Sequence, residues 1–202
     1  MLFRSARGDL ARAEQLFQQA LAIYEKLAPN SLEVATTLNN LGTVAHYRGD
    51  LAAAEQLYQQ ALAIFEKLAP NSLEMASTLH NLGTVAHDRG DLAAAERYLQ
   101  QALAIREQLA PNSLEMASTL HNLGIVARNR GDLARAEQYY QQALAIQEKL
   151  APNSLDVATT LNNLGIVAAN RGDLARAEQL YQQALAIREK LAPNSQIGRA
   201  HV

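Results

Sequence analysis

The chain has 202 residues, a formal net charge of −2 and no cysteine. The near-neutral charge argues against a nucleic-acid-binding surface, and the lack of cysteine excludes disulfides and thiolate metal sites. No apolar run approaches the roughly 18 residues of a membrane span and the N-terminus lacks the apolar core of a signal peptide, so we expect a soluble, cytoplasmic protein without membrane contact.

A repeat of 41 residues dominates the chain. The Gly-Asp pair that begins at Gly8 returns at Gly49, Gly90, Gly131 and Gly172, and the five prolines stand at 29, 70, 111, 152 and 193. A fixed period of this length predicts a stacked array of repeats, which grows by adding units and has no single central core.

The repeat divides the chain into segments. We expect a non-repeat tail and a turn at residues 1–8, a half repeat at 9–30, complete repeats at 31–71, 72–112, 113–153 and 154–195, and a second tail at 196–202. Both tails depart abruptly from the repeat and read like translations of a sequencing adaptor. We therefore expect that they are artefacts and that the natural gene continues on both sides.

Each complete repeat carries two amphipathic helical patterns, which we call helix A and helix B. In the first repeat, the apolar residues of helix A recur at three- and four-residue steps, at Leu32, Ala35, Leu38, Leu41 and Val44. Asn30 is expected to cap helix A, in a capping box with Glu33. Gly49 should end helix A, and Asp50 should cap helix B, which runs to about Ala69.

These patterns predict an all-α fold of nine helices. A lone helix B, from about Asp9 to Leu27, precedes four AB pairs, and the short turns make A and B antiparallel neighbours. No stretch has the alternation of a strand. The first and last helices lack a flanking partner, so apolar surface at both ends of the array is expected to allow end-to-end self-association.

Several residues are the same in every repeat and predict packing. Gly42, inside helix A, implies a close helix contact that a Cβ would obstruct, since glycine there costs about 1 kcal/mol relative to alanine. Asn40 and its equivalents predict a ladder of hydrogen bonds between repeats. Arg48 and its equivalents, at the C-terminus of helix A, predict a structural role beside the helix dipole.

The array resembles tetratricopeptide repeats, in the long form typical of kinesin light chains. The residues that carry the resemblance in the first full repeat are Leu38, Leu41-Gly42, Ala45, Ala54, Tyr58 and Ala61. Two features depart from the family pattern: Leu38 replaces the usual aromatic residue, and Glu66 stands at the usual proline position. The resemblance implies a right-handed α-solenoid whose A helices line a concave groove and whose B helices form the convex side.

The groove implied by the resemblance supplies the candidate site. Its predicted lining consists of polar or aromatic helix A residues that mostly vary between repeats, namely Thr36, Asn39, Thr43, His46, Tyr47, Ser77, His80, Thr84, His87, Asp88, Ser118, His121, Arg128, Asn129, Asn162 and Asn170. Neutral drift at exposed positions is an equal alternative. Helix B also varies, at Phe65, Arg106, Gln147 and Arg188.

The function predicted from these features is a scaffold for protein interactions, which binds a peptide or partner protein in the groove. Alternatives are a regulatory arm of a larger bacterial signalling enzyme and an RNA-binding repeat, the latter disfavoured by the acidic balance. A metal site is disfavoured because His80 and His87 are seven residues, about 10 Å, apart on one helix. No catalytic or cofactor motif is present, so neither an enzyme nor a cofactor is predicted.

Overall fold

The computed structural model describes the backbone of residues 2–191 and the side chains from residue 9 onward. This range contains nine α-helices and no strand. Their bounds are α1 Leu2–Leu27, α2 Leu32–Tyr47, α3 Leu51–Leu68, α4 Leu73–Asp88, α5 Leu92–Leu109, α6 Leu114–Asn129, α7 Leu133–Leu150, α8 Leu155–Asn170 and α9 Leu174–Leu191. The predicted tail at 196–202 lies outside the described residues.

The helices pack as the repeat predicts. The four AB pairs are α2 with α3, α4 with α5, α6 with α7, and α8 with α9. Helix α1 packs against α2. The chain divides after Leu109 into two compact units, the first containing α1 to α5 and the second α6 to α9. The predicted all-α solenoid of antiparallel helix pairs is confirmed.

A serine caps the N-terminus of each A helix. Ser31 has extended backbone angles and its side chain accepts a hydrogen bond from the Val34 amide, and Ser72, Ser113 and Ser154 do the same in later repeats. The prediction that Asn30 is the cap is wrong. Asn30 has a φ of +58°, a left-handed conformation that asparagine tolerates and that turns the chain before the cap residue.

The turn from helix A to helix B follows the predicted chemistry. Gly49 has a φ of +82°, which a residue with a Cβ rarely adopts, and its amide donates to the His46 carbonyl at 2.8 Å. The Asp50 side chain then accepts from the Ala53 amide at 3.0 Å, as predicted for the cap of helix B.

Helix α1 is longer than the sequence predicted. It begins at Leu2 rather than near Asp9, so Gly8 and Asp9 lie within the helix and not in a turn. A glycine inside a helix costs only about 1 kcal/mol, which does not by itself end the helix.

The glycine inside helix A allows a large side chain of helix B to pack against the backbone. A Cβ on Gly42 would lie 2.7 Å from Tyr58 Cε1, and one on Gly124 would lie 2.6 Å from Tyr140 Cε1. Gly83 faces Leu99 in the same way. Tyr58, Leu99 and Tyr140 are all fully buried. The predicted close contact is therefore confirmed.

The arginines before three of the turns link neighbouring repeats. Arg48 forms an ion pair with Glu14 of α1, Arg89 with Glu55 of α3, and Arg171 with Glu137 of α7. In each case, the arginine at the end of a helix A reaches the helix B of the preceding repeat. These half-exposed pairs contribute about 0–1 kcal/mol each to the stability of the fold, so apolar packing contributes most of the stability of the stack.

One side of α9 exposes apolar residues. Leu174, Tyr181 and Leu185 are partly exposed and line a recess of about 310 Å³. The equivalent tyrosine of α7, Tyr140, is fully buried and packs with Leu164 and Val167 of α8. End-to-end self-association through such a surface stays a prediction.

Substituting Gly124 tests the close helix contact. Gly124→Ala should lower the free energy of unfolding by about 1–3 kcal/mol because the added methyl group would overlap the buried Tyr140 ring. The control Ser118→Ala, at an exposed position of α6, should change it by less than about 0.5 kcal/mol. Urea unfolding followed by circular dichroism measures both. A stabilised Gly124→Ala variant would contradict the packing argument.

Candidate functional site

The sixteen residues predicted to line a groove all lie on the A helices, and none of them is buried. The exposed ones are Thr36, Tyr47, Asp88, Ser118, Asn129 and Asn170. The half-buried ones are Asn39, Thr43, His46, Ser77, His80, Thr84, His87, His121, Arg128 and Asn162. We call the surface formed by these residues in each unit the A face.

Three predicted residues meet near the C-terminal ends of α2 and α4. His46 Nε2 lies 2.7 Å from Asp88 Oδ2, and His87 Nδ1 lies 3.1 Å from Asp88 Oδ1. Burial opposes ionisation of Asp88, but the hydrogen bonds and charges of both imidazoles outweigh it and lower its pKa. Tyr47 stands beside the cluster, 73% exposed, with its ring 6.2 Å from the His46 ring.

Asn39 joins two repeats of the first unit. Its Oδ1 accepts hydrogen bonds from the Thr78 hydroxyl at 3.1 Å and from the Asn81 amide at 3.3 Å. Asn81 is one of the invariant asparagines that the sequence assigns to a ladder between repeats, and this contact agrees with that assignment. Asn39 therefore both borders the A face and holds α2 against α4.

His121 has the equivalent role in the second unit. Its Nδ1 lies 2.9 Å from the Thr160 hydroxyl, and its Nε2 lies 3.2 Å from the Asn163 amide nitrogen. These contacts fit a neutral ring that is protonated on Nδ1. Burial lowers the pKa of His121, although Asp156 raises it and Arg128 lowers it further. Arg128 donates to Asn163 Oδ1 at 3.0 Å.

His80 is paired with a residue of helix B. Arg106 of α5 is only 4% exposed, and its Nη1 lies 3.4 Å from His80 Nδ1. The other terminal nitrogen, Nη2, lies 3.4 Å from the Ser77 hydroxyl. Burial, reinforced by the Arg106 charge, lowers the pKa of His80 to about 4.

A cavity opens on the A face of each unit, at the same place in the repeat. In the first unit, a cavity of about 190 Å³ is lined by Thr36, Asn39, Phe65, Leu73, Glu74 and Ser77. In the second, a cavity of about 100 Å³ is lined by Leu114, Ser118, His121, Gln147, Asp156 and Thr159. The sequence predicted Asn39, His121 and the small hydroxyl residues on helix A, but neither the floors nor the acidic residues.

The floors come from helix B, which the family resemblance assigned to the opposite side. Phe65 and Gln147 are 2% and 5% exposed. Together with Arg106 they occupy one position of the repeat, where helix B faces its own helix A. The signal was present in the sequence: this position changes from aromatic to cationic to amide, whereas most apolar positions of helix B are nearly constant. Arg188, the fourth member, is exposed.

Thr43 has a structural partner behind the A face. The Tyr58 hydroxyl donates to Thr43 Oγ1 at 3.1 Å. In the third repeat Ile125 replaces the threonine, and no side chain or backbone group in the described part of the chain forms a hydrogen bond with the buried Tyr140 hydroxyl. Burial raises the pKa of Tyr140 to about 12, and Arg128 opposes this.

The described part of the chain contains neither a candidate metal cluster nor a candidate membrane-spanning helix. Among the described residues, no group of three or more histidine, cysteine, aspartate or glutamate side chains could hold a metal ion. The cluster of His46, Asp88 and His87 is thus not such a group. No described helix is both long enough and apolar enough to cross a membrane.

Comparisons with known proteins agree with this architecture. The family profile described as Tetratricopeptide repeat matches residues 2–67, 33–108, 74–149 and 115–190. No curated protein sequence matches the chain.

Several solved structures are similar. BtubC (BKLC) from P. vanneervenii is 27% identical, with a TM-score of 0.85 over 95% of this chain and 78% of that chain. A putative kinesin light chain with nearly identical TPR-like repeats from Podosopora anserina is 23% identical, with a TM-score of 0.74 over 92% and 90%. A Rap protein complexed with Competence and Sporulation Factor is 19% identical, with a TM-score of 0.74 over 92% and 51%. The last two similarities show the fold alone. The predicted resemblance to tetratricopeptide repeats of the kinesin-light-chain type is confirmed by the family profile together with the kinesin-light-chain-like structure.

The two buried tyrosines provide a matched test of the Thr43 contact. Tyr58→Phe should lower the free energy of unfolding by about 1 kcal/mol because it removes a hydrogen bond. Tyr140→Phe should be neutral or stabilising because its hydroxyl has no partner among the described residues to lose. In an Ile125→Thr background, Tyr140→Phe should become destabilising by about 1 kcal/mol. If urea unfolding shows that Tyr58→Phe and Tyr140→Phe lose the same unfolding free energy, the assigned role of the Thr43 hydrogen bond is contradicted.

The low pKa of His80 predicts acid sensitivity. The unfolded side chain has a pKa near 6.5, so the unfolded state takes up a proton at a pH where the folded state does not. The resulting stability is complete above about pH 6.5 and is lost as the pH falls towards about 4. When the pH falls from about 7 to about 4.5, the wild type should therefore lose on the order of 2 kcal/mol more unfolding free energy than His80→Asn, which copies Asn39. Equal losses of unfolding free energy in the wild type and in His80→Asn over this pH range, measured by urea unfolding, would refute the prediction.

Proposed function

Because this chain belongs to the tetratricopeptide repeat family, we propose that it is a protein-interaction scaffold that binds an extended peptide, or an extended segment of a partner protein, along the A face. The observation that carries the proposal is the cavity at the same place in the repeat in both units, with a different floor in each. A side chain of a bound peptide would enter such a cavity, and the floor residue would select it.

The polar groups of the A face suit a peptide backbone. Hydroxyl, amide and imidazole groups predominate there, and they can exchange hydrogen bonds with peptide N–H and C=O groups. Small cavities between them give room for individual side chains.

Several of these groups are held in place before a ligand arrives. Asn39 and His121 are fixed by their bonds to the next repeat, and Asp88 is fixed between His46 and His87. A surface that is already ordered loses less conformational entropy on binding, which favours affinity. The same bonds make Asn39 and His121 poor choices for a binding test, since their removal would weaken the stack as well.

The proposal is tested with side chains that the stack does not need. A random peptide library is first selected on the immobilised protein, and the dissociation constant of the best peptide is measured. Thr36→Arg and Ser118→Arg place a long cation beside the two cavities, and should weaken binding by about tenfold or more because they block the A face.

The matched controls are Gln59→Arg and Gln141→Arg, which make the same charge change at exposed positions of helix B. They should leave the dissociation constant unchanged. Circular dichroism melting checks that all four variants are folded. Failure to select any peptide, or equal weakening by A-face and control variants, would refute the proposal.

A further inference from the structure

The A-face cavity of the second unit contains a polar group that the protein leaves unsatisfied. Gln147, at its floor, is 5% exposed, and its Oε1 atom receives no hydrogen bond from any described residue. A buried carbonyl oxygen without a donor costs about 1–3 kcal/mol. This position carries phenylalanine in the first repeat, so an apolar floor is compatible with the fold. The unsatisfied amide therefore suggests a ligand that donates hydrogen bonds.

The second repeat shows which donor fits such a place. There Arg106 takes the position of Gln147, and its guanidinium group contacts Ser77 and His80. The corresponding residues around Gln147 are Ser118 and His121, which line its cavity. Glutamine is shorter than arginine and carries no charge. The cavity thus lies where a cationic head group lies in the second repeat.

The charges around the cavity favour a cation. The Asp156 carboxylate lines it, and Ser118 and Thr159 add hydroxyl groups. The His121 ring is neutral in its hydrogen-bonded form and has both nitrogens engaged by Thr160 and Asn163, so it forms a wall without charge. Arg128 is a cation near His121, and it donates to Asn163.

We propose that this cavity binds the cationic head of a lysine or arginine side chain of the bound peptide. The inference rests on the proposed function, since it names one residue type of the peptide that the A face binds. The ammonium or guanidinium group donates to the exposed Asp156 carboxylate and, once the Gln147 amide has rotated to expose its oxygen, to Gln147 Oε1. The volume of about 100 Å³ suits a head group of a few heavy atoms, at roughly 30 Å³ for each water-sized part. The equivalent cavity of the first unit, with Phe65 as its floor, lacks the amide acceptor.

The test uses the two floors that the chain itself provides. Random peptide libraries are selected in parallel on the wild type, on Gln147→Phe, which copies Phe65, and on Gln147→Arg, which copies Arg106. The wild-type pool should be enriched in lysine or arginine at one position. Both variants should lose that enrichment, because one removes the acceptor and the other supplies its own cation. Gln142→Phe and Gln142→Arg, at an exposed position of the same helix, should keep it.

A second measurement does not depend on changing the buried floor. Asp156→Asn alters an exposed carboxylate, and should weaken binding of the selected basic peptide by about tenfold. A peptide whose basic residue is replaced by norleucine should bind the wild type about tenfold more weakly, and the Asp156→Asn variant should discriminate less between the two peptides.

The outcomes separate the two proposals. If peptides are selected without a preferred basic residue, or if the Gln147 variants keep the preference, the cation site is wrong while the scaffold function stands. If no peptide is selected on any of the proteins, the scaffold function fails and the cation site fails with it. An unchanged affinity of Asp156→Asn for the basic peptide also overturns the cation site.

Discussion

The close approach of helix A to helix B depends on one missing methyl group in each repeat. Gly42 and Gly124 let a tyrosine ring lie directly against the backbone of helix A, and Gly83 does the same for Leu99. This contact sets the distance between the paired helices and buries a large side chain at the centre of the first three pairs. The caps at Ser31 and Asp50 and the positive φ at Gly49 then determine where each helix begins and how the chain reverses.

Because the pair is so close, helix B can also contribute to the surface that helix A presents. Phe65 and Gln147 are almost completely buried, yet they form the floors of cavities that open on the A face. The repeat thus separates two requirements. Glycine, alanine and leucine positions keep the packing uniform, while one buried position of helix B changes in polarity and charge without disturbing the helices around it.

Residues of the A face stabilise the stack, in addition to the recognition role proposed for them. Asn39 and His121 bond to the threonine and the invariant asparagine of the next repeat, and Arg106 is buried beside His80. Variation in such a column changes the bonds between repeats as well as the exposed surface. In the third repeat, Ile125 removes the acceptor that Thr43 gives to Tyr58, and the described residues offer the Tyr140 hydroxyl no other.

Local signals in the sequence determined the number, length and order of the eight helices after α1, because periodicity, caps and turn glycines act over a few residues. They also identified the glycine contact and the polar residues of the A face. The start of α1 at Leu2 and the cap at Ser31 differ from what the sequence predicted. Glycine only weakly opposes a helix, and Asn30 adopts a left-handed conformation. Only the tertiary structure decided which helix B residue reaches the A face and which polar atoms, such as Gln147 Oε1, find no partner in the described part of the chain. Those facts depend on how closely consecutive helices pack and on which of their side chains meet, which the local pattern of either helix does not encode.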